Sequence, residues 1–221
     1  YKRCTQDIMT YTYAKLEPLY FNANQSGKSY LAQQRGNIVM DDITVDNIRE
    51  LQALQAKPSP NRLEQKMAAD FSKAFSEIDY ETNALVLRND PTELIARKQL
   101  AAGLLGQAKA SAIEANHKLF KTTYDLFSTG LSGNNRVIFK AMPLLEVIDT
   151  LQSLENKAKS NPTDALTQFQ LGTAYYNMTW FGNSPMLIKT ARSVESWEAG
   201  EIDFGKAREH YELALQHTTD R

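Results

Sequence analysis

Apolar residues recur along most of the chain at steps of three and four, the spacing that lines one face of a helix. Over residues 61–88 they fall at Leu63, Met67, Phe71, Phe75, Ile78 and Leu85, and over 143–158 at Leu144, Ile148, Leu151 and Leu154. Within a mixed region over 1–21, Ile8, Tyr11 and Leu16 permit a helix that ends near Pro18, followed by a polar loop over 22–30. Ile38, Val39, Ile43 and Val45 read as a short strand over 38–45 with no evident partner. Thr44 or Asp46 then caps a helix through Ile48, Leu51 and Leu54, which Pro58-Ser59-Pro60 stops, because proline lacks the amide donor and restricts the residue before it. Asp90-Pro91-Thr92-Glu93 has the chemistry of a helix start, with Asp90 as cap and Pro91 in the first turn. It predicts a long Ala-rich helix over 94–127, with Gly103 and Gly106 inside it to allow close helix packing, and a loop over 128–135.

These stripes and caps predict an all-α fold, a helical array or bundle of roughly six to eight helices. Long antiparallel helices account for residues 1–160 and a further helix pair for 161–221, as two domains or as one continuous domain. Composition agrees: Gly 10 and Pro 7 in 221 residues are few for a turn-rich sandwich or barrel. Asn161-Pro162-Thr163-Asp164 repeats the start at Asp90, and 161–175 aligns with 90–104 at Pro, Thr, Gln and Leu. That offset of 71 residues is close to two periods of a 34-residue repeat.

The last third carries a recognisable pattern. Leu171-Gly172-x-x-Tyr175 resembles the first helix of a tetratricopeptide repeat, and Ala207-x3-Tyr211-x2-Ala214 resembles its second helix. Gly172 and the alanines would let two helices approach closely while Tyr175 and Tyr211 fill the space between them. Gln168 stands at the repeat's Trp position, with the aromatic displaced to Phe169, and an inserted segment, 180–202, separates the two halves. Tyr175 to Ser184 is also similar to segments of uncharacterised bacterial repeat proteins. The resemblance implies a partner-binding face at Leu166, Phe169, Thr173, Tyr176 and Asn177, with Asn177 bonding a peptide backbone. Both tryptophans of the chain, Trp180 and Trp197, lie in the insertion and are either partner anchors or cover for the repeat's apolar surface.

Candidate chemistry is sparse. Gly27-Lys28-Ser29 matches the end of a phosphate-binding loop, but Asn22 replaces the first glycine, so a polar loop is the better reading. His210 and His217 share a helix face with no nearby third ligand, His117 stands alone, and Asp41, Asp42 and Asp46 lack calcium-loop spacing. One cysteine, Cys4, forms neither an internal disulfide nor a zinc cluster. Asn24 and Asn177 open glycosylation sequons. Lys plus Arg is 25 against 26 Asp plus Glu, which argues against nucleic-acid binding by bulk charge. No apolar run of the roughly 18 residues needed to span a membrane is present.

The expectation is therefore a non-enzyme without catalytic residues, metal or cofactor: a protein-interaction or scaffold module that binds a protein partner or itself. The alternatives are a structural subunit of a complex without a peptide groove, and an enzyme with an unrecognised site. The start at Tyr1 rather than Met suggests a removed leader or a cut chain. The bacterial envelope is favoured over the cytoplasm, with room for an anchor upstream of residue 1. The last helix, with Phe204, Ala207, Tyr211, Ala214 and Leu215, is expected to leave an apolar face only partly covered, for further chain, a partner or a second copy.

Overall fold

The structure, a computed structural model, describes residues 2–78, 85–87, 90–115, 121–122, 125–128, 140–188 and 204–218. Among the described residues the fold is all-α. Its nine α-helices are α1 (Lys2–Asn22), α2 (Ser26–Gln33), α3 (Val45–Gln55), α4 (Arg62–Ala74), α5 (Pro91–Ala101), α6 (Leu105–Glu114), α7 (Leu144–Ser160), α8 (Ala165–Met178) and α9 (Gly205–His217). A 3-10 turn covers Pro185–Leu187, and β1 (Ser76–Ile78) pairs antiparallel with β2 (Leu85–Leu87), Glu77 opposite Val86. Two compact units are formed, Tyr1–Ile95 and Ala96–Arg221. The boundary expected at 160/161 thus lies inside the second unit, and the observed one falls within α5.

The first unit is built around Tyr13, Leu31, Ile43, Ile48, Leu51, Met67, Phe71 and Phe75. Several of its elements correct the sequence reading. α1 continues through Pro18 to Asn22. The proline removes one donor, but Tyr13 and Tyr20 on either side of it pack into or against the core. The polar loop expected over 22–30 contains the start of α2, and the strand expected over 38–45 is irregular chain with one turn at 40–42 that enters α3 at Val45. There the Tyr30 hydroxyl donates to Val39 O at 3.0 Å and accepts from Val39 N–H at 3.2 Å, so both backbone groups are satisfied without a neighbouring strand. The stripe over 61–88 is helical only to Ala74. It continues into Phe75, whose ring packs on Phe71 at 5.0 Å, and then into the hairpin.

The caps are local and specific. Thr44, not Asp46, caps α3, accepting from Asn47 N–H at 3.2 Å. Asp90 accepts from the amides of Thr92 and Glu93 at 2.8 and 3.0 Å. Asn61 and Glu64 form a reciprocal capping box at α4. Glu64 is buried and also meets Lys57 at 2.7 Å and Lys28 at 3.2 Å. The Lys57 contact, the Asn61 amide and Lys28 lower its pKa from 4.5 to about 2. A folded-state pKa below the unfolded one stabilises the protein above pH 4.5, and that contribution is lost as pH falls from 4.5 towards about 2. We expect Glu64→Gln to lower Tm at pH 7 and to narrow its gap to wild type progressively across this window. Thermal melts at pH 2 to 7 check this, and parallel curves for the two proteins would refute it.

In the second unit the core comprises Leu126, Met142, Val147, Ile148, Leu151, Leu171, Ala174 and Leu187, with Ala96 and Ala108. The long helix expected over 94–127 is broken by Gly103. At φ +74° this residue takes the left-handed position just past α5, with Gly103 N–H bonded to Leu100 O and Leu104 N–H to Gln99 O. Gly103 is thus a helix stop. A Cβ added at Gly106 would meet nothing within 4 Å, so close packing does not require that glycine. Residues 121–122 are extended, with Thr122 N–H bonded to Met142 O at 3.0 Å. The two proline-led starts also differ: Asp90 caps α5 directly, whereas Asn161 closes α7 and Asp164 caps α8. His117 and residues 129–135 lie outside the described residues.

Candidate functional site

α8 and α9 run antiparallel. Phe169 packs on Tyr211 (ring centroids 5.6 Å apart), while Tyr176, further along α8, stacks on Phe204 at the start of α9 (6.2 Å). The close approach follows from sequence: a Cβ on Gly172 would lie 2.8 Å from the Tyr211 ring. The Tyr211 hydroxyl donates to Thr173 Oγ1 at 3.2 Å. Gln168 is buried and bridges the pair, its Oε1 accepting from His210 Nδ1–H at 2.7 Å and its Nε2 donating to Pro162 O at 2.9 Å. His210 stacks on Tyr175 at 5.6 Å, and burial lowers its pKa, so it sits there neutral at pH 7. The Tyr175 hydroxyl donates to Glu155; burial, together with that carboxylate, pushes its pKa up.

Where α8 begins and α9 ends, the two helices leave an apolar groove of about 600 Å3, lined by Ala165, Leu166, Phe169, Tyr211, Ala214, Leu215 and Thr218. Leu166 is 62% exposed, Phe169 42% and Leu215 75%. Ala207 and Ala214 face inward on α9, so this last helix shows the partly covered apolar face that its sequence suggests. All seven groove residues are uncharged.

The seven residues expected to bind a partner separate into four groups. Leu166 and Phe169 line the groove. Tyr176 and Trp180 are half-buried at the other end of α8, in an aromatic cluster where Phe181 stacks on Phe204 and meets Trp180 edge-on at 5.2 Å. Trp197 lies outside the described residues, as does most of the inserted segment. Thr173 and Asn177 are corrections, because both are buried. Asn177 Nδ2 donates to Leu126 O at 2.8 Å and Ser128 O at 2.9 Å, and its own carbonyl accepts from Ser184 N–H. It holds two chain segments inside the protein. As folded it offers neither a bond to a peptide nor an acceptor nitrogen for a glycan.

The candidate phosphate-binding segment is also engaged within the fold. Gly27-Lys28-Ser29 lies in the first turn of α2, with Gly27 and Ser29 buried, rather than on a polar loop. Glu50 takes the place an anion would occupy there, accepting from Gly27 N–H at 2.8 Å and Lys28 N–H at 3.2 Å. Among the described residues no group of three or more His, Cys, Asp or Glu could hold a metal ion, and no helix is long and apolar enough to cross a membrane. Sequence reasoning missed an exposed stripe on α1, Ile8, Tyr11 and Leu19, which periodicity alone assigns to the core side.

Against known proteins, the chain matches no family model, no curated protein and no solved structure at a significant level.

Proposed function

We propose that the chain is a non-enzymatic protein-interaction module that docks an apolar helical segment of a protein partner in the groove between α8 and α9. The observation that carries this reading is the exposure of Leu166, Phe169 and Leu215 along one uncharged groove. Large apolar side chains clustered in this way mark contact sites more often than isolated ones do. The resemblance of Leu171-Gly172-x-x-Tyr175 and Ala207-x3-Tyr211-x2-Ala214 to a tetratricopeptide repeat supports it, since such units stack a further helix on each exposed pair. Lys28 and His210, two residues singled out for chemistry, pair with Glu64 and Gln168 instead. The exposed stripe on α1 favours a scaffold with more than one contact.

The double variant Leu166→Glu, Leu215→Glu tests the groove. Both side chains are exposed, so stability should stay within about 0.5 kcal/mol of wild type. Proteins retained from source-cell extract by wild type, but not by the variant, are identified and purified. At least one should bind wild type directly, with Kd raised about tenfold or more in the variant. If every retained protein binds both forms equally, the groove is not the docking face.

A further inference from the structure

The first unit contains a cleft that the interaction reading does not use. It encloses about 720 Å3, within the usual range of small-molecule sites, and Tyr13, Arg35, Ile38, Lys66, Asp70 and Lys73 are among its lining residues. The Tyr13 hydroxyl donates to Asp70 Oδ2 at 2.6 Å, and Lys66 Nζ pairs with Asp70 Oδ1. Asp70 is the one acidic residue in the lining, and both of its oxygens are engaged. Arg35 and Lys73 have no ion pair among the described residues, so the cleft carries surplus positive charge. Met9 and Ile38, packed against the core, supply an apolar wall.

The backbone beneath Arg35 is unusual. α2 closes with Arg35 N–H bonded to Ala32 O and Gly36 N–H to Leu31 O, the turn whose first residue past the cap is left-handed and most often glycine. Here that residue is Arg35, at φ +54°, and the glycine comes one place later, at φ +82°. Gly36 cannot be moved, because a Cβ there would lie 2.9 Å from Asp70 Oδ2 and 3.2 Å from the Tyr13 ring. The turn is therefore pinned on the Tyr13–Asp70 pair, and the arginine stem leaves from a fixed point on the rim. A sequence selected for stability alone would carry glycine at 35. Retained strain of this kind accompanies binding sites.

We propose that this cleft binds a small organic anion, a carboxylate or phosphate monoester joined to an apolar group. Arg35 and Lys73 hold the anionic head, and Met9 and Ile38 pack against the apolar body. The test is calorimetric titration of the full chain with benzoate, phenyl phosphate and uncharged benzamide. At least one anion should bind, about tenfold or more tighter than benzamide, the ratio between the anions showing which head is preferred. Arg35→Gly and Lys73→Ala should each weaken that binding about tenfold, with Tm unchanged or raised in Arg35→Gly because glycine relieves the turn. Four outcomes would overturn the proposal: no anion bound at millimolar concentration, benzamide bound equally, Arg35→Gly binding like wild type, or a lowered Tm for Arg35→Gly. The last would mean that the arginine serves the turn and not a ligand.

Discussion

Alanine at Gly182 is expected to cost about 3 kcal/mol or more, the upper range for overpacking a filled site. Its Cβ would lie 2.3 Å from Asn177 Cα and O and 2.4 Å from Asn177 C. All three are backbone atoms in the last turn of α8, so no side-chain rotation relieves the clash. The segment cannot simply move aside, because Gly182 N–H bonds Thr179 O at 3.1 Å and Ser184 N–H bonds Asn177 O at 2.8 Å. Relief therefore requires unwinding the end of α8 or detaching the segment that leads to the 3-10 turn. Gly106→Ala is the matched control. It sits within α6 with open space where the methyl would go, and should gain about 0.5–1 kcal/mol from helix propensity. Urea denaturation of both variants checks the pair. A Gly182→Ala protein as stable as wild type would show that α8 is not packed as described.

Asn177→Asp is the second large effect, at about 4 kcal/mol, and it arises from hydrogen bonding alone because the two side chains have the same shape. The asparagine amide gives both hydrogens to Leu126 O and Ser128 O. An aspartate oxygen in that place would face two carbonyl oxygens at 2.8–2.9 Å with no donor, in a site that water does not reach. Protonation restores one of the two donors, so the variant's carboxyl pKa should rise on folding. Its deficit should therefore shrink as pH falls from 7 towards 4.5 and grow again as pH rises. Denaturation at the two pH values measures this. A deficit below about 0.5 kcal/mol at pH 7 would return Asn177 to the surface, where sequence reasoning placed it.

These two predictions concern the end of α8 away from the groove, and they explain why one helix serves two purposes. The start of α8 exposes Leu166 and Phe169, while its second half buries Gly172, Thr173, Ala174, Asn177 and Met178. Leu166, Thr173 and Asn177 fall on nearly the same side of the helix by periodicity. They differ in burial because residues 125–128 and 182–184 bond or pack around Asn177 and do not extend to Leu166.

The all-α class, the cap at Asp90, a cap at Thr44 or Asp46, the helix pair at the end of the chain and the uncovered Leu215 were legible in the sequence. Each rests on short-range chemistry: a side chain reaching an amide two or three residues on, a stripe at steps of three and four, or a glycine whose missing Cβ admits a neighbouring ring. Gly103 carried a readable stop signal that the surrounding alanines obscured. Other features were set only by segments distant in the chain. Glu50 reaches the start of α2 from 22 and 23 residues away, and Leu126 and Ser128 meet Asn177 across 51 and 49 residues. Asp70 meets Tyr13 across 57 residues and so creates the floor of the cleft. Periodicity identifies the faces of a helix, but which face is covered, and for how much of its length, depends on which distant backbone satisfies its polar groups against it.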